Sequence, residues 1–199
     1  MVLLHHSCKD RVLMDEQEVI ARCKKKDPLS QQVLYSAYAP KMQSVCCRYV
    51  NDPDTAKDLL QDGFVKVFTK IDTYAGDGSF AGWIRRIFVT TSLEYLRQND
   101  SMKFNVSIDE NENIEDEFNI SVISQLTAED LLACIAKLPS GYRTVFNLYA
   151  IEGYSHSEIA KLLKIKESSS QSQLVRARRI LQRNVQSIMG QDYARQGSR

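Results

Sequence analysis

The thirty residues from Tyr154 to Arg183, YSHSEIAKLLKIKESSSQSQLVRARRILQR, restrict the fold more tightly than any other part of the chain. Ser155 and Glu158 form an S-x-x-E capping box, in which hydroxyl and carboxylate satisfy free backbone amides and fix a helix start. Ile159, Leu162 and Leu163 then recur on one face, and a short polar turn over Lys164 to Glu167 separates them from a second periodic run through Leu174, Ala177 and Leu181. Two short helices locked by a small shared core form a helix-turn-helix. From Lys161 to Arg183 its cations are Lys161, Lys164, Lys166, Arg176, Arg178, Arg179 and Arg183, opposed by Glu167 alone. Such a field attracts phosphate, and each phosphate neutralised steepens the salt dependence by roughly 0.9 log units per log of salt. Together with the polar run Ser168 to Gln173, this makes duplex DNA the first partner to consider; a helical hairpin with a solvated charged face is the alternative. Lys164 stands where a tight turn often has glycine, and a left-handed backbone there costs a lysine on the order of 1 kcal/mol.

The chain has 199 residues, 43% of them hydrophobic, enough for one or two ordinary cores. A net charge of +1 conceals segregation. The basic C-terminal helix is balanced by Asp109, Glu110, Glu112, Glu115, Asp116 and Glu117, so whole-chain neutrality says little about nucleic-acid binding. Cys8, Cys23, Cys46, Cys47 and Cys134 are odd in number and lack C-x-x-C spacing, which fits reduced thiols in a cytosolic protein. His5, His6 and Cys8 are candidate metal ligands; without a second cluster at finger spacing they read as a disordered terminus, and neither a metal nor another cofactor is expected. No apolar run reaches the roughly 18 residues that span a bilayer, and the N-terminus lacks a signal-peptide core, so the expectation is a soluble, cytoplasmic protein without membrane insertion.

A period near 3.6 dominates the rest, and only four prolines and eight glycines interrupt it, so the expected fold is all-α. Helices are predicted near Asp15 to Lys25, Leu29 to Val50, Pro53 to Ile71 and Phe80 to Asn99, with a loop at Asp72 to Ser79. Asp52 before Pro53 is a cap followed by a proline at the first helical position. From 101 to 126 acids, Asn and Ser replace periodicity, which reads as a flexible acidic linker. Thr127-x-x-Asp130 opens a helix carrying Leu131, Leu132, Ile135 and Leu138 that ends at Pro139; a helix with Val145, Phe146 and Tyr149 precedes the helix-turn-helix. The expected organisation is two small helical domains, 14–100 and 127–188, joined by that linker, with tails at 1–13 and 189–199.

Two patterns in the first domain carry chemistry. Along DTAKDLLQDGFVKVF, Ala56, Leu60, Phe64, Val67 and Phe68 face a core while Asp54, Asp58, Gln61 and Asp62 gather elsewhere, either as a solvated acidic face or as a docking surface. Gly63 inside that helix costs roughly 1 kcal/mol relative to Ala unless a close neighbour requires it, such as a partner surface passing over the face. In FAGWIRRIFVTTSLEYLRQ, Phe80, Ile84, Ile87 and Thr91 point inward, and Trp83, Arg86 and Arg97 remain to face outward. Arginines among aromatics, beside the loop holding Tyr74, suit a single strand whose unstacked bases each add roughly 1 to 3 kcal/mol by stacking; core packing of the same aromatics is the competing reading.

DLLQDGFVKVF followed by WIRRIFVTTSLEYLRQ, then LPSGYRTVFNLYAIEGYSHSEIAKLLKI and SQSQLVRARRIL, resembles in order and spacing the extracytoplasmic-function class of bacterial RNA polymerase sigma factors. The resemblance runs from about Leu34 to Val185, interrupted by the linker. It implies a dissociable specificity subunit with no catalytic residues, which binds core RNA polymerase, recognises the minus-ten and minus-thirty-five promoter elements and promotes strand opening. A stand-alone helix-turn-helix regulator of duplex DNA is the alternative. By this resemblance Asp58, Gln61, Asp62 and Phe64 lie on or under the helix that docks on polymerase. Tyr74 to Phe80 form the loop that holds a flipped minus-ten base, with Trp83, Arg86 and Thr90 along the separated strand. Gln171, Ser172, Val175 and Arg176 face the major groove of the minus-thirty-five element, and Arg178 and Arg179 meet phosphates. An anti-sigma factor is the implied regulatory partner, and the acidic linker would thread the polymerase interior. Three departures from the family pattern stand out. Thr90 replaces the usual Asn, and Ser168-Ser169-Ser170 replaces the common Gly-Thr-Val, putting a hydroxyl where an apolar side chain often anchors the recognition helix. Gln171 and Gln173 in place of basic residues suggest adenine-type contacts.

Overall fold

The computed structural model describes residues 15–99 and 127–196, all of whose regular structure is helical. The expected linker, the N-terminal tail and with it His5, His6 and Cys8 lie outside the described residues. The chain divides into two compact units, one ending at Leu96 and the other beginning at Arg97.

The first unit holds α1 (Glu16–Lys24), α2 (Pro28–Tyr49), α3 (Pro53–Lys70) and α4 (Phe80–Asn99), and local chemistry sets the starts of α2 and α3. Asp27 and Asp52 are N-caps followed by Pro28 and Pro53, and their carboxylates accept from the backbone N–H of Ser30 at 2.9 Å and of Thr55 at 2.7 Å. These hydrogen bonds, led by those from the Ser30 and Thr55 hydroxyls, hold both carboxyls below their ordinary value of 3.8. At the end of α1 the chain turns left-handed on Lys26 (φ 60°); Lys26 N–H returns to the Cys23 carbonyl and Asp27 N–H to that of Arg22. A single 3-10 turn, Ile71–Thr73, leads from α3 into the loop before α4.

The core of this unit is aromatic, with Tyr49, Phe80 and Phe88 fully buried beside Ile84, Leu93 and Val67. On α3 the inward set is Ala56, Leu59, Leu60, Gly63, Phe64 and Val67, with Phe68 half-buried. The close neighbour that Gly63 requires is internal: a Cβ there would stand 2.2 Å from the Phe88 ring of α4. The Phe88 ring therefore accounts for Gly63 without a partner surface. Helix α4 is covered over more of its circumference than its period suggests, since Phe88, Val89, Ser92, Leu93 and Leu96 are buried as well as Phe80, Ile84 and Thr91. Burial pushes the Cys23 thiol up to about 11 and the Cys46 thiol to about 12, which suits inert core thiols.

The second unit holds α5 (Ala128–Ala136), α6 (Ser140–Phe146), α7 (His156–Leu163) and α8 (Glu167–Gln196). Capping boxes start α5 at Thr127/Asp130 and α7 at Ser155/Glu158. Between α6 and α7 the expected helix through Tyr149 instead widens into a π turn, Asn147–Ile151, closed by Glu152 N–H on the Asn147 carbonyl at 2.9 Å. Lys164 adopts the left-handed conformation (φ 55°) that the short turn requires, and Ile165 N–H returns to the Ala160 carbonyl at 3.1 Å. Helix α8 packs against α5, α6 and α7 and continues to Gln196, beyond Ile188 where the sequence reading ends the domain. Cys134 and Ile135 of α5, with Leu138 in the turn after it, meet Ala177, Leu181 and Val185 of α8 in a shared core. Buried Arg143 donates to the Ala136 carbonyl at 2.9 Å, satisfying a free carbonyl at the end of α5.

Candidate nucleic-acid interface

On α3, Asp58, Gln61 and Asp62 are all exposed, and Val65, 65% exposed, continues them at i, i+3, i+4 and i+7 as one stripe. Phe64 lies beneath, only 3% exposed, its ring 4.6 Å from Tyr35 and 5.2 Å from Phe88. It sets the α3 backbone on α2 and α4, while the acidic and amide groups remain free for solvent or a partner. Neighbouring Asp54 pairs with Lys57 at 2.9 Å, an exposed pair of little energetic weight.

The loop before α4 is braced from below. Tyr74 is 5% exposed; its hydroxyl donates to the Gly78 carbonyl at 2.9 Å and its own carbonyl accepts from Lys24 Nζ at 2.8 Å. Its ring contacts Phe80 at 5.0 Å and Trp83 at 5.6 Å, and Phe80 stacks on Trp83 at 5.5 Å. Residues Ala75 to Ser79 are exposed, with Gly76 (φ 91°) and Gly78 (φ 75°) supplying the left-handed backbone. Tyr74 and Phe80 are thus core aromatics, as the competing reading had it, and their faces are covered. Only Trp83 of the three is partly exposed.

Trp83, Arg86 and Thr90, at i, i+3 and i+7 of α4, converge on one cleft of about 200 Å³ between α3 and α4. Sequence reasoning missed its other wall, Lys66 and Lys70, whose i, i+4 spacing on α3 was the available signal. Lys66 is paired with Glu94 at 2.6 Å, so part of the positive field is held in check. The Thr90 hydroxyl donates to the Arg86 carbonyl at 2.8 Å, which commits its proton and leaves the oxygen an acceptor. Thr91, 3% exposed, also lines the cleft, and its hydroxyl has no partner among the described residues.

In the second unit the residues expected to read DNA all sit on the first half of α8, but not equally open. Gln171 is exposed; Ser172, Val175, Arg176, Arg178 and Arg179 are half-buried. Arg176 Nη1 donates to the Tyr142 hydroxyl at 3.4 Å, and the Arg178 guanidinium lies over the Tyr149 ring at 5.9 Å. Gln173 is 5% exposed, which removes it from the adenine contacts suggested for it. Ser170 is fully buried with its hydroxyl 2.9 Å from His156 Nδ1, and the His156 ring stacks on Tyr149 at 4.6 Å. Neither that pair nor Arg143 is visible from helical periodicity.

Residues 34–102 match Sigma-70 region 2, and residues 128–181 match Sigma-70, region 4. The ECF RNA polymerase sigma-E factor of Escherichia coli (strain K12) is 28% identical over 186 residues, covering 88% of this chain and 97% of its own. Its counterpart in Haemophilus influenzae is 25% identical, covering 88% and 98%. The chain belongs to the extracytoplasmic-function class of sigma factors. This sigma factor promotes promoter-specific transcription initiation. Among solved structures, the sigma factor RpoE in complex with the anti-sigma factor NepR from Bartonella quintana has 18% identity and a TM-score of 0.48, covering 78% of this chain and 96% of that one. Among the described residues of this sigma factor, no helix is long and apolar enough to cross a membrane, and no cluster of His, Cys, Asp and Glu could hold a metal.

Proposed function

We propose that this sigma factor divides the promoter between its units, with a separate surface for polymerase. The α3 stripe of Asp58, Gln61, Asp62 and Val65, set by Phe64, docks on core polymerase. The loop braced by Tyr74 and Phe80, with Trp83, Arg86 and Thr90, receives the separated minus-ten strand. In α8, Gln171, Ser172, Val175 and Arg176 read the minus-thirty-five duplex while Arg178 and Arg179 meet phosphates.

The single observation that carries this reading is the cleft between α3 and α4. Lys70 and Arg86 offer phosphate-binding charge beside the Lys66–Glu94 pair, Trp83 offers a partly open ring, and Thr91 a buried hydroxyl in want of a partner, all in the unit that matches Sigma-70 region 2. Unpairing a base costs a few kcal/mol, and stacking at roughly 1 to 3 kcal/mol per base together with phosphate contacts offsets it. In α8, phosphate contacts fix register and base-edge contacts discriminate, each bidentate pair worth roughly 1 to 3 kcal/mol. The work is binding and strand separation in the cytoplasm, with no catalytic group of its own. Class membership supports an anti-sigma partner that covers these surfaces until a signal arrives, and it disfavours a stand-alone regulator.

Replacing Lys70 and Arg86 by Ala tests the cleft. With core polymerase bound, closed-complex formation on duplex promoter should persist, while permanganate reactivity of minus-ten thymines falls about tenfold or more, consistent with loss of two contacts to the strand. Undiminished opening would refute the assignment.

A further inference from the structure

The recognition helix of this chain is held by a polar latch. Ser170 lies on α8 immediately before Gln171 and Ser172, and it is fully buried. Its hydroxyl meets Nδ1 of His156, the first residue of α7, at 2.9 Å. The His156 ring lies nearly parallel to that of Tyr149, 22° between planes and 4.6 Å between centroids, and Tyr149 belongs to the π turn. The same Tyr149 ring carries the Arg178 guanidinium at 5.9 Å. Three elements are therefore tied together through one ring stack and one hydrogen bond. An apolar anchor would hold α8 without regard to direction, because hydrophobic contact is non-directional. A hydrogen bond is not so tolerant: it weakens steeply as the donor angle falls, so it fixes both the rotation and the rise of α8 against α7. Breaking it deprives the buried Ser170 hydroxyl of its partner on α7, which penalises other orientations.

We propose that His156 and Ser170 are positioning residues for promoter discrimination: their hydrogen bond sets the rotation at which Gln171, Ser172, Val175 and Arg176 meet base edges. This rests on the reading of α8 as the minus-thirty-five reader. The test uses full-length protein with core polymerase. Wild-type holoenzyme first selects a promoter from a duplex library randomised upstream of the start site, and the selected duplex and its single-base substitutions in the minus-thirty-five element then serve as probes. Wild type should lose on the order of tenfold in affinity per mismatch. Ser170→Ala and His156→Phe should shrink that penalty about threefold or more, the scale of one hydrogen bond, with polymerase affinity unchanged. His156→Asn, whose side-chain amide can occupy the Nδ1 position without the ring, should keep the wild-type penalty. If Ser170→Ala and His156→Phe discriminate like wild type, or if His156→Asn loses as much as His156→Phe, the latch is refuted. Absence of any minus-thirty-five preference in wild type would instead overturn the reading of α8, and the proposal with it. Circular dichroism melts of each variant separate lost discrimination from lost folding.

Discussion

Lys164 and Gly63 each occupy a position that their residue type does not favour, and they fail in opposite ways. Lys164 is left-handed at φ 55°, where glycine is at ease, so Lys164→Gly should stabilise the second unit by about 0.5 to 1 kcal/mol, measured by urea unfolding. Gly63 is the converse, a helix interior glycine forced by the Phe88 ring 2.2 Å from where its Cβ would be. Gly63→Ala regains about 1 kcal/mol of helix propensity but overpacks a fully buried ring, which costs about 1 to 3 kcal/mol; a net loss of about 1 kcal/mol is expected in the same assay. The strain at Lys164 could be read from the sequence, because a turn of that length between two periodic runs demands it. The reason for Gly63 could not, since Phe88 is distant in the chain and its contact depends on how α3 and α4 cross. Residues Lys66 and Lys70 escaped notice for the same cause: their role as a cleft wall exists only once α4 lies beside them.

The starts of α3, α5 and α7 were legible because each is written locally. Asp52-Pro53, Thr127-x-x-Asp130 and Ser155-x-x-Glu158 place caps at α3, α5 and α7 with no help from tertiary structure. The π turn after α6 was not, because one extra residue per turn leaves the apolar pattern of Val145, Phe146 and Tyr149 almost unchanged. The caps carry a pH dependence. Asp27, Asp52 and Asp130 have carboxyls held below their ordinary 3.8, so their contribution to stability is complete above about pH 4 and is lost as pH falls through the depressed folded values. Asp52→Asn keeps a capping oxygen that does not titrate; relative to wild type it should gain stability as pH falls from 4 to 2.5, followed by thermal melts. Along α8, Arg176 and Arg178 should differ in kind. Arg176→Ala should relax discrimination at one position of the minus-thirty-five element, whereas Arg178→Ala should weaken binding across sequences and reduce the salt slope by about one. Matching effects in a fluorescence-anisotropy panel of promoter variants would contradict the division.

At the scale of the whole molecule, each of the two units has its own core and its own surface chemistry. The class was legible in the order of its motifs, and the family matches over 34–102 and 128–181 agree with the order read from the residues. What the sequence left open was which aromatics are free: Tyr74 and Phe80 brace the loop from the core, and Trp83 alone among them is partly exposed. The polymerase surface should be separable from the DNA surfaces. Asp58→Ala with Gln61→Ala should weaken core polymerase binding about tenfold or more, by loss of two interface contacts, without altering the melting temperature by more than about 2 °C, since both are exposed. The most direct test of a polymerase-dependent, two-element promoter reader is a footprint of a selected promoter with this protein alone, with core polymerase alone and with both. Protection of both elements and permanganate-reactive minus-ten thymines should occur only with both. Tight, specific protection by the protein alone, unchanged by polymerase, would contradict it.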